Sequence, residues 1–165
     1  MDFKTLADQY RNELLDNVLP FWLEHSQDLE FGGYFTCLDR KGGVFDTDKF
    51  IWLQGREVWM FSMLYNKVEK RQEWLDCAVQ GGEFLKKYGH NGDYNWYFSL
   101  NRSGRPLVEP YNIFSYTFAT MAFGQLSLAT GSQEYADIAK KTFEIILSKV
   151  DNPKGKWNKL HPDTR

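Results

Sequence analysis

At 165 residues, with 42% hydrophobic and 25% charged residues, the chain has the length and balance of one folded domain. A formal net charge of −2, a pI near 5.9 and scattered Lys and Arg exclude a nucleic-acid footprint, and no apolar run approaches the roughly 20 residues of a membrane span. Cys37 and Cys77 form neither a CxxC pair nor a disulfide framework, and the charged stretch MDFKTLADQYRNELLD does not read as a signal peptide, so the expected location is cytoplasmic.

Residues from about Thr5 to Glu24 read as a helix, with Leu6, Tyr10, Leu14, Val18 and Trp22 at steps of four and Pro20 kinking or ending it late. The stretch FGGYFTCLDRKGGVFD alternates apolar residues between two Gly pairs and predicts a short hairpin. A helix from about Trp52 to Val68 follows, then a second from about Gln72 to Tyr88. The internal Gly81-Gly82 pair costs helix propensity, which points to close packing against a neighbour. YNWYFSLNRSGRPLVE is another hairpin candidate. Helices at about Tyr111–Thr130 and Gln133–Val150, broken by TGS, complete the pattern before NPKGKWNKLHPDTR.

A repeat runs through these elements. YFTCLDRKG (Tyr34–Gly42) lies over WYFSLNRSG (Trp96–Gly104) without gaps, so that Asp39 meets Asn101, Arg40 meets Arg102 and Gly42 meets Gly104. The same spacing brings Ile51 to Ile113, Trp52 to Phe114, Phe61 to Phe123 and Leu64 to Leu126. Each unit is a hairpin followed by two helices, and a third unit begins near Trp157. Such units stack because one alone cannot bury its faces. Six of them in a closed ring would need about 370 residues by that logic, so the chain reads as the front portion of something longer. Its apolar flanks near Trp59, Met63, Phe123 and Leu126 are then expected to lack neighbours and to drive association.

The stretch FIWLQGREVWMF raises the sharpest question. At helical spacing Trp52, Arg56, Trp59, Met60 and Met63 share one side, too apolar for a solvent face. A guanidinium there needs a carboxylate, with Asp46 and Asp48 nearby in sequence, or a polar cavity. The chain is 17% aromatic with six Trp, which suits either a large core or a carbohydrate site. Arg56 is therefore the leading site residue. Trp52 and Trp59 are sugar-stacking or core residues. Tyr111 and Ser115, after Pro110 at a helix start, offer hydroxyls to a ligand or simply begin the helix. Tyr34 in the first hairpin is a further candidate. His25, His90 and His161 read as a capping, a turn and a loop residue. No His, Cys, Asp or Glu group has metal spacing, the Gly-rich hairpin lacks the GK[ST] ending of a phosphate loop, and no cofactor is expected.

FWLEHSQDLEFGGYFTCLDRKGGVFDTDKFIWLQGREVWMF (Phe21–Phe61), GGEFLKKY and PYNIFSYTFATMAFGQL resemble the N-terminal region of the N-acylglucosamine 2-epimerases, and the resemblance covers nearly all of the chain. It implies an all-α fold, an (α/α)6 barrel of six inner and six outer helices, of which this chain holds about the first five with short β-hairpins. It places Arg56 on an inner helix, in a sugar pocket. The implied reaction interconverts N-acyl-D-glucosamine and N-acyl-D-mannosamine by removing and returning the C2 proton, and a fixed guanidinium suits the charge that develops on the carbonyl oxygen. The family's acid–base histidines come from later inner helices, and His25, His90 and His161 occupy no equivalent motif. The 165 residues alone are thus expected to be inactive. A cellobiose 2-epimerase or an aldose–ketose isomerase of the mannose type is the neighbouring reading. A non-catalytic helical fragment that binds a partner or another copy is the reading from a different class. The expected ligand is a small sugar, with no nucleic acid and no membrane, and a homodimer is the expected assembly.

Overall fold

A computed structural model describes residues 2–110 and 113–151. Tyr111, His161 and the third unit expected at Trp157 lie outside the described residues. The elements are α1 (Phe3–Glu13), a π-helical segment (Leu14–Val18), α2 (Leu19–His25), β1 (Cys37–Leu38), β2 (Val44–Asp46), β3 (Lys49–Phe50), α3 (Ile51–Lys67), α4 (Gln72–Tyr88), β4 (Ser99–Leu100), β5 (Pro106–Val108), α5 (Phe114–Thr130) and α6 (Gln133–Ser148).

The first helix is capped by Asp2, whose carboxylate accepts the Thr5 N–H at 2.7 Å. It does not run straight to Glu24. Pro20 has no N–H to give to an earlier carbonyl, and the backbone relaxes into the π-helical turn of Leu14–Val18 just before it. The stripe of Leu6, Tyr10, Leu14 and Val18 is exposed, and α1 buries no residue.

The two repeat units share their devices. Asp39 accepts the Lys41 and Gly43 N–H groups in the first hairpin, and Asn101 accepts the Arg105 N–H in the second. Gly42 at φ 84° and Gly104 at φ 91° occupy the left-handed corner that both turns require. β1 pairs with β2 and β4 with β5, both antiparallel, while β3 pairs with β4, so the second hairpin forms a three-stranded sheet separate from the first. Ahead of each hairpin sits a buried aromatic anchor. Tyr34 donates to Cys77 O at 2.8 Å, and Trp96 donates through Nε1 to Thr142 Oγ1 at 3.1 Å. Each therefore bonds to the second helix of its own unit.

α3 and α5 lie side by side as an inner layer, with α4 packed behind α3 and α6 behind α5. The expected close packing at Gly81-Gly82 is present: a Cβ at Gly81 would strike the Tyr34 hydroxyl, and one at Gly82 the Leu126 side chain. Tyr34, Trp74, Trp96, Tyr116, Phe61 and Phe123 are fully buried, so much of the aromatic content is core. The expectation that Phe123 and Leu126 lack neighbours fails: both are 0% exposed. Phe123 packs on Trp96 and Tyr135, so the start and the second helix of its own unit already cover it.

Candidate active site

The position of Arg56 is set from both ends of α3. At the start, Phe50 pairs with Ser99 and the Ile51 N–H donates to Phe98 O at 3.0 Å, anchoring the helix to the rim. One turn on, Gly55 lets α5 come close: a Cβ there would lie 3.0 Å from the Phe118 carbonyl carbon and oxygen. Arg56 thus faces Phe118 across the inner layer. Its Cζ lies 5.9 Å from the Trp52 ring centroid and 5.7 Å from that of Phe118, and the two rings are tilted 49° to one another at 6.0 Å. Cation–π attraction holds the guanidinium there without neutralising it.

Among the described residues no carboxylate pairs with Arg56. Asp46 instead accepts the Asp48 N–H at 2.9 Å. The guanidinium is exposed and borders a hollow of about 310 Å³ walled by Trp22, Leu53, Trp59 and Met60, with Glu57 and Thr36 as its other polar edges. Neither expected answer is met as stated: Arg56 has no carboxylate among the described residues and stands exposed at the edge of a largely apolar hollow.

Glu57 is only 7% exposed. Burial pushes its carboxyl up to about 8, against the pull of the Ser26 hydrogen bond, so the group is predominantly neutral at pH 7. Ser26 Oγ lies 2.5 Å from Glu57 Oε1 and 2.6 Å from Trp22 O. Thr36 Oγ1 is buried with no protein partner among the described residues.

The rim above α3 is held by charge. Lys49, 0% exposed, donates through Nζ to Asp28 Oδ2 at 2.9 Å, Gly32 O at 2.5 Å and Arg102 O at 2.9 Å. Arg102 grips Asp28 with two bonds of 3.0 and 3.1 Å and pairs with Glu30 at 2.9 Å. Burial pushes the Asp28 carboxyl up, but its bonds to Arg102 and Lys49 outweigh that and hold it at about 2.

The sequence candidates are distributed as follows. Trp52 stands beside Arg56, and Trp59 lines the hollow. Ser115 is buried in the first turn of α5. Tyr34 is fully buried beneath α4 with its hydroxyl taken by Cys77 O, so it is not brought to Arg56. Tyr111 lies outside the described residues. His25 packs on Phe21 and His90 stacks on Tyr94, and neither lines the hollow. Among the described residues no group of His, Cys, Asp or Glu could hold a metal ion, and no helix is long and apolar enough to cross a membrane.

Glu57 and Ser26 escaped the sequence reading. One signal existed: Glu57 interrupts the apolar series Leu53, Met60, Leu64 at helical spacing, where a carboxyl needs a buried partner or a proton. The Asp28–Lys49–Arg102 cluster had no local signal.

A layer of inner helices backed by outer ones is an arc of an (α/α)6 barrel. The structure of cellobiose 2-epimerase from Bacillus thermoamylovorans superposes with a TM-score of 0.80 at 28% identity, over 88% of this chain and 38% of that one. The sequence model of the N-acylglucosamine 2-epimerase (GlcNAc 2-epimerase) family matches residues 33–164, and the chain belongs to that family. It is 44% identical over 146 residues to N-acylglucosamine 2-epimerase of Bos taurus, and 27% identical over 168 residues to cellobiose 2-epimerase of Dictyoglomus turgidum. The first alignment covers 86% of this chain and 35% of the relative, so the chain spans about a third of that protein's length. The second covers 96% and 42%.

Proposed function

We propose that the protein carrying this chain interconverts N-acyl-D-glucosamine and N-acyl-D-mannosamine at C2, with Arg56 in the sugar site. The observation that carries the reading is the guanidinium itself: charged, flanked by Trp52 and Phe118, free of any carboxylate among the described residues, and open to a cavity. The 44% identity to N-acylglucosamine 2-epimerases favours this sugar over the cellobiose-type relatives at 27%.

In this reading the open-chain sugar loses its C2 proton to a base, and negative charge builds on the adjacent carbonyl oxygen. Arg56 donates to that oxygen and lowers the energy of the enediolate. Reprotonation on the opposite face gives the epimer. Trp52 and Trp59 offer flat faces to the sugar C–H surface. Ser115 and Tyr34 serve as packed supports beneath the inner layer, and the Tyr111 hydroxyl is offered to the same sugar. The family resemblance implies histidines as acid and base, and neither His25 nor His90 lines the hollow. A cytoplasmic location, a homodimer and independence from nucleic acid and membrane belong to the same proposal.

The test is to incubate the full-length protein with N-acetyl-D-glucosamine in D2O and follow both N-acetyl-D-mannosamine and deuterium at C2 by NMR. Formation of the epimer with C2 deuterium is expected. Conversion of mannose to fructose without action on the N-acetyl sugar would overturn the reading in favour of an aldose–ketose isomerase.

A further inference from the structure

Two carboxyls are almost fully buried among the described residues, Asp28 and Glu57. Asp28 is saturated: Lys49, Arg102 and the N–H groups of Glu30 and Phe31 all donate to it. Glu57 is not. Ser26 is its one hydrogen-bond partner among the described residues, through Oε1, and the carboxyl stands on the wall of the hollow that Arg56 borders.

The protons can be counted. Ser26 Oγ carries one hydrogen and sits within reach of two acceptors, Trp22 O at 2.6 Å and Glu57 Oε1 at 2.5 Å. Both contacts are satisfied when the neutral carboxyl donates from Oε1 to Ser26 Oγ and Ser26 donates onward to Trp22 O. Oε2 is then a carbonyl-type acceptor fixed in direction by that two-bond relay. Oε2 is not one of the fully buried, unpaired oxygens, so it keeps access to the hollow, where a neutral polyol is rich in hydroxyl donors. The carboxyl sits where the Leu53, Met60 and Leu64 stripe would otherwise be continuous, so helix packing alone does not call for it.

Resting on the sugar-epimerase reading above, we propose that Glu57 is a substrate-positioning residue whose Oε2 accepts a hydrogen bond from a hydroxyl of the sugar held beside Arg56, with Ser26 fixing the direction of that oxygen. The group takes no part in proton transfer at C2. It orients the sugar relative to the guanidinium, and it does so in binding and turnover alike.

The experiment uses the full-length protein and N-acetyl-D-glucosamine. Glu57→Gln retains a carbonyl toward the hollow and an N–H toward Ser26, so KM within about twofold of wild type is expected. Glu57→Met removes the acceptor at similar volume, and KM should rise about five- to tenfold with kcat within about twofold, the signature of lost uniform binding. Infrared difference spectra supply a reading independent of the Met variant's folding. A carboxyl C=O band absent from Glu57→Gln should shift to lower frequency when the sugar binds wild type. An unchanged KM in a folded Glu57→Met variant, or a carboxyl band that ignores the sugar, would overturn the proposal while leaving epimerase activity in place. Absence of any epimerisation by wild type would instead overturn the reading beneath it, and this proposal with it.

Discussion

The two repeat units are built alike and equipped differently. Their turns use the same Asx and left-handed glycine geometry at Asp39/Gly42 and Asn101/Gly104, and their hairpins are preceded by Tyr34 and Trp96, each bonded to the second helix of its unit. On the inner helices the correspondence stops being chemical. The positions of Trp52, Arg56 and Glu57 on α3 correspond to Phe114, Phe118 and Ala119 on α5. The equivalents Arg56 and Phe118 face one another across the inner layer. Where folding makes the demand, the units agree. Where the first unit sets Arg56 and Glu57 on its inner helix, the second sets Phe118 and Ala119.

The joint between the units is the place to break that arrangement hardest. Asp28 lies ahead of the first hairpin, Lys49 in β3 and Arg102 in the second hairpin. Asp28→Asn leaves the Lys49 ammonium buried without its counter-charge, and a loss of ~3–5 kcal/mol in folding stability is expected from denaturant titration, far more than for an exposed ion pair such as Arg71–Glu69. The same carboxyl has an acid signature. Held at about 2 against an ordinary 3.8, it adds stability that is fully present above 3.8 and is lost as pH falls through 2. Asp28→Asn should flatten that limb of the stability profile.

Glu57 sharpens the contrast in the opposite pH direction. Its carboxyl titrates at about 8 in the folded chain against an ordinary 4.5. Below 4.5 both states hold the proton. Between 4.5 and 8 the unfolded chain releases it and the folded chain keeps it, so stability falls as pH rises through that window. Glu57→Gln abolishes the effect: its stability should match wild type at pH 4 and exceed it by on the order of a few kcal/mol at pH 8. Thermal melts at the two pH values decide the matter. Equal shifts at both would mean that the carboxyl titrates in the fold as it does in the unfolded chain.

The smallest expected effect compares the anchors. Trp96→Phe leaves the fully buried Thr142 hydroxyl without its donor, whereas Tyr34→Phe removes a donor from Cys77 O within α4. The first should cost ~1–3 kcal/mol and the second about 1 kcal/mol, both read as shifts in denaturation midpoint. The reverse order would mean that losing the donor to Cys77 O costs more than orphaning the Thr142 hydroxyl.

Much of this scaffold was legible in the chain, because its signals are local. The periodicity bounded α4 at Gln72 and Tyr88, placed α3 within one residue at each end, and revealed the repeat through its turn residues. Gly81-Gly82 announced a close contact whose partners, Tyr34 and Leu126, only the fold could name. The misses share a cause. Asp28, Lys49 and Arg102 meet across 21 and 74 residues, and Ser26 meets Glu57 across 31, separations at which no periodic pattern speaks. Phe123 and Leu126 were expected at a bare flank because a repeat pattern does not show how much of each face its own second helix covers. Arg56 was readable because a permanent charge on an apolar stripe contradicts its surroundings. Glu57 made the same contradiction one residue later, but a carboxyl can resolve it by keeping its proton.

The central claim is that Arg56 stabilises charge that exists only in the transition state. The most direct measurement is turnover of N-acetyl-D-glucosamine, with C2 deuterium uptake, by Arg56→Lys in the full-length protein. The variant keeps a positive charge but loses the planar fork of donors between Trp52 and Phe118. Because Arg56 is exposed, folding stability should stay within about 0.5 kcal/mol of wild type. A fall of ~100- to 1000-fold in both kcat and C2 exchange is predicted. Near-wild-type kcat in a folded variant would contradict the account.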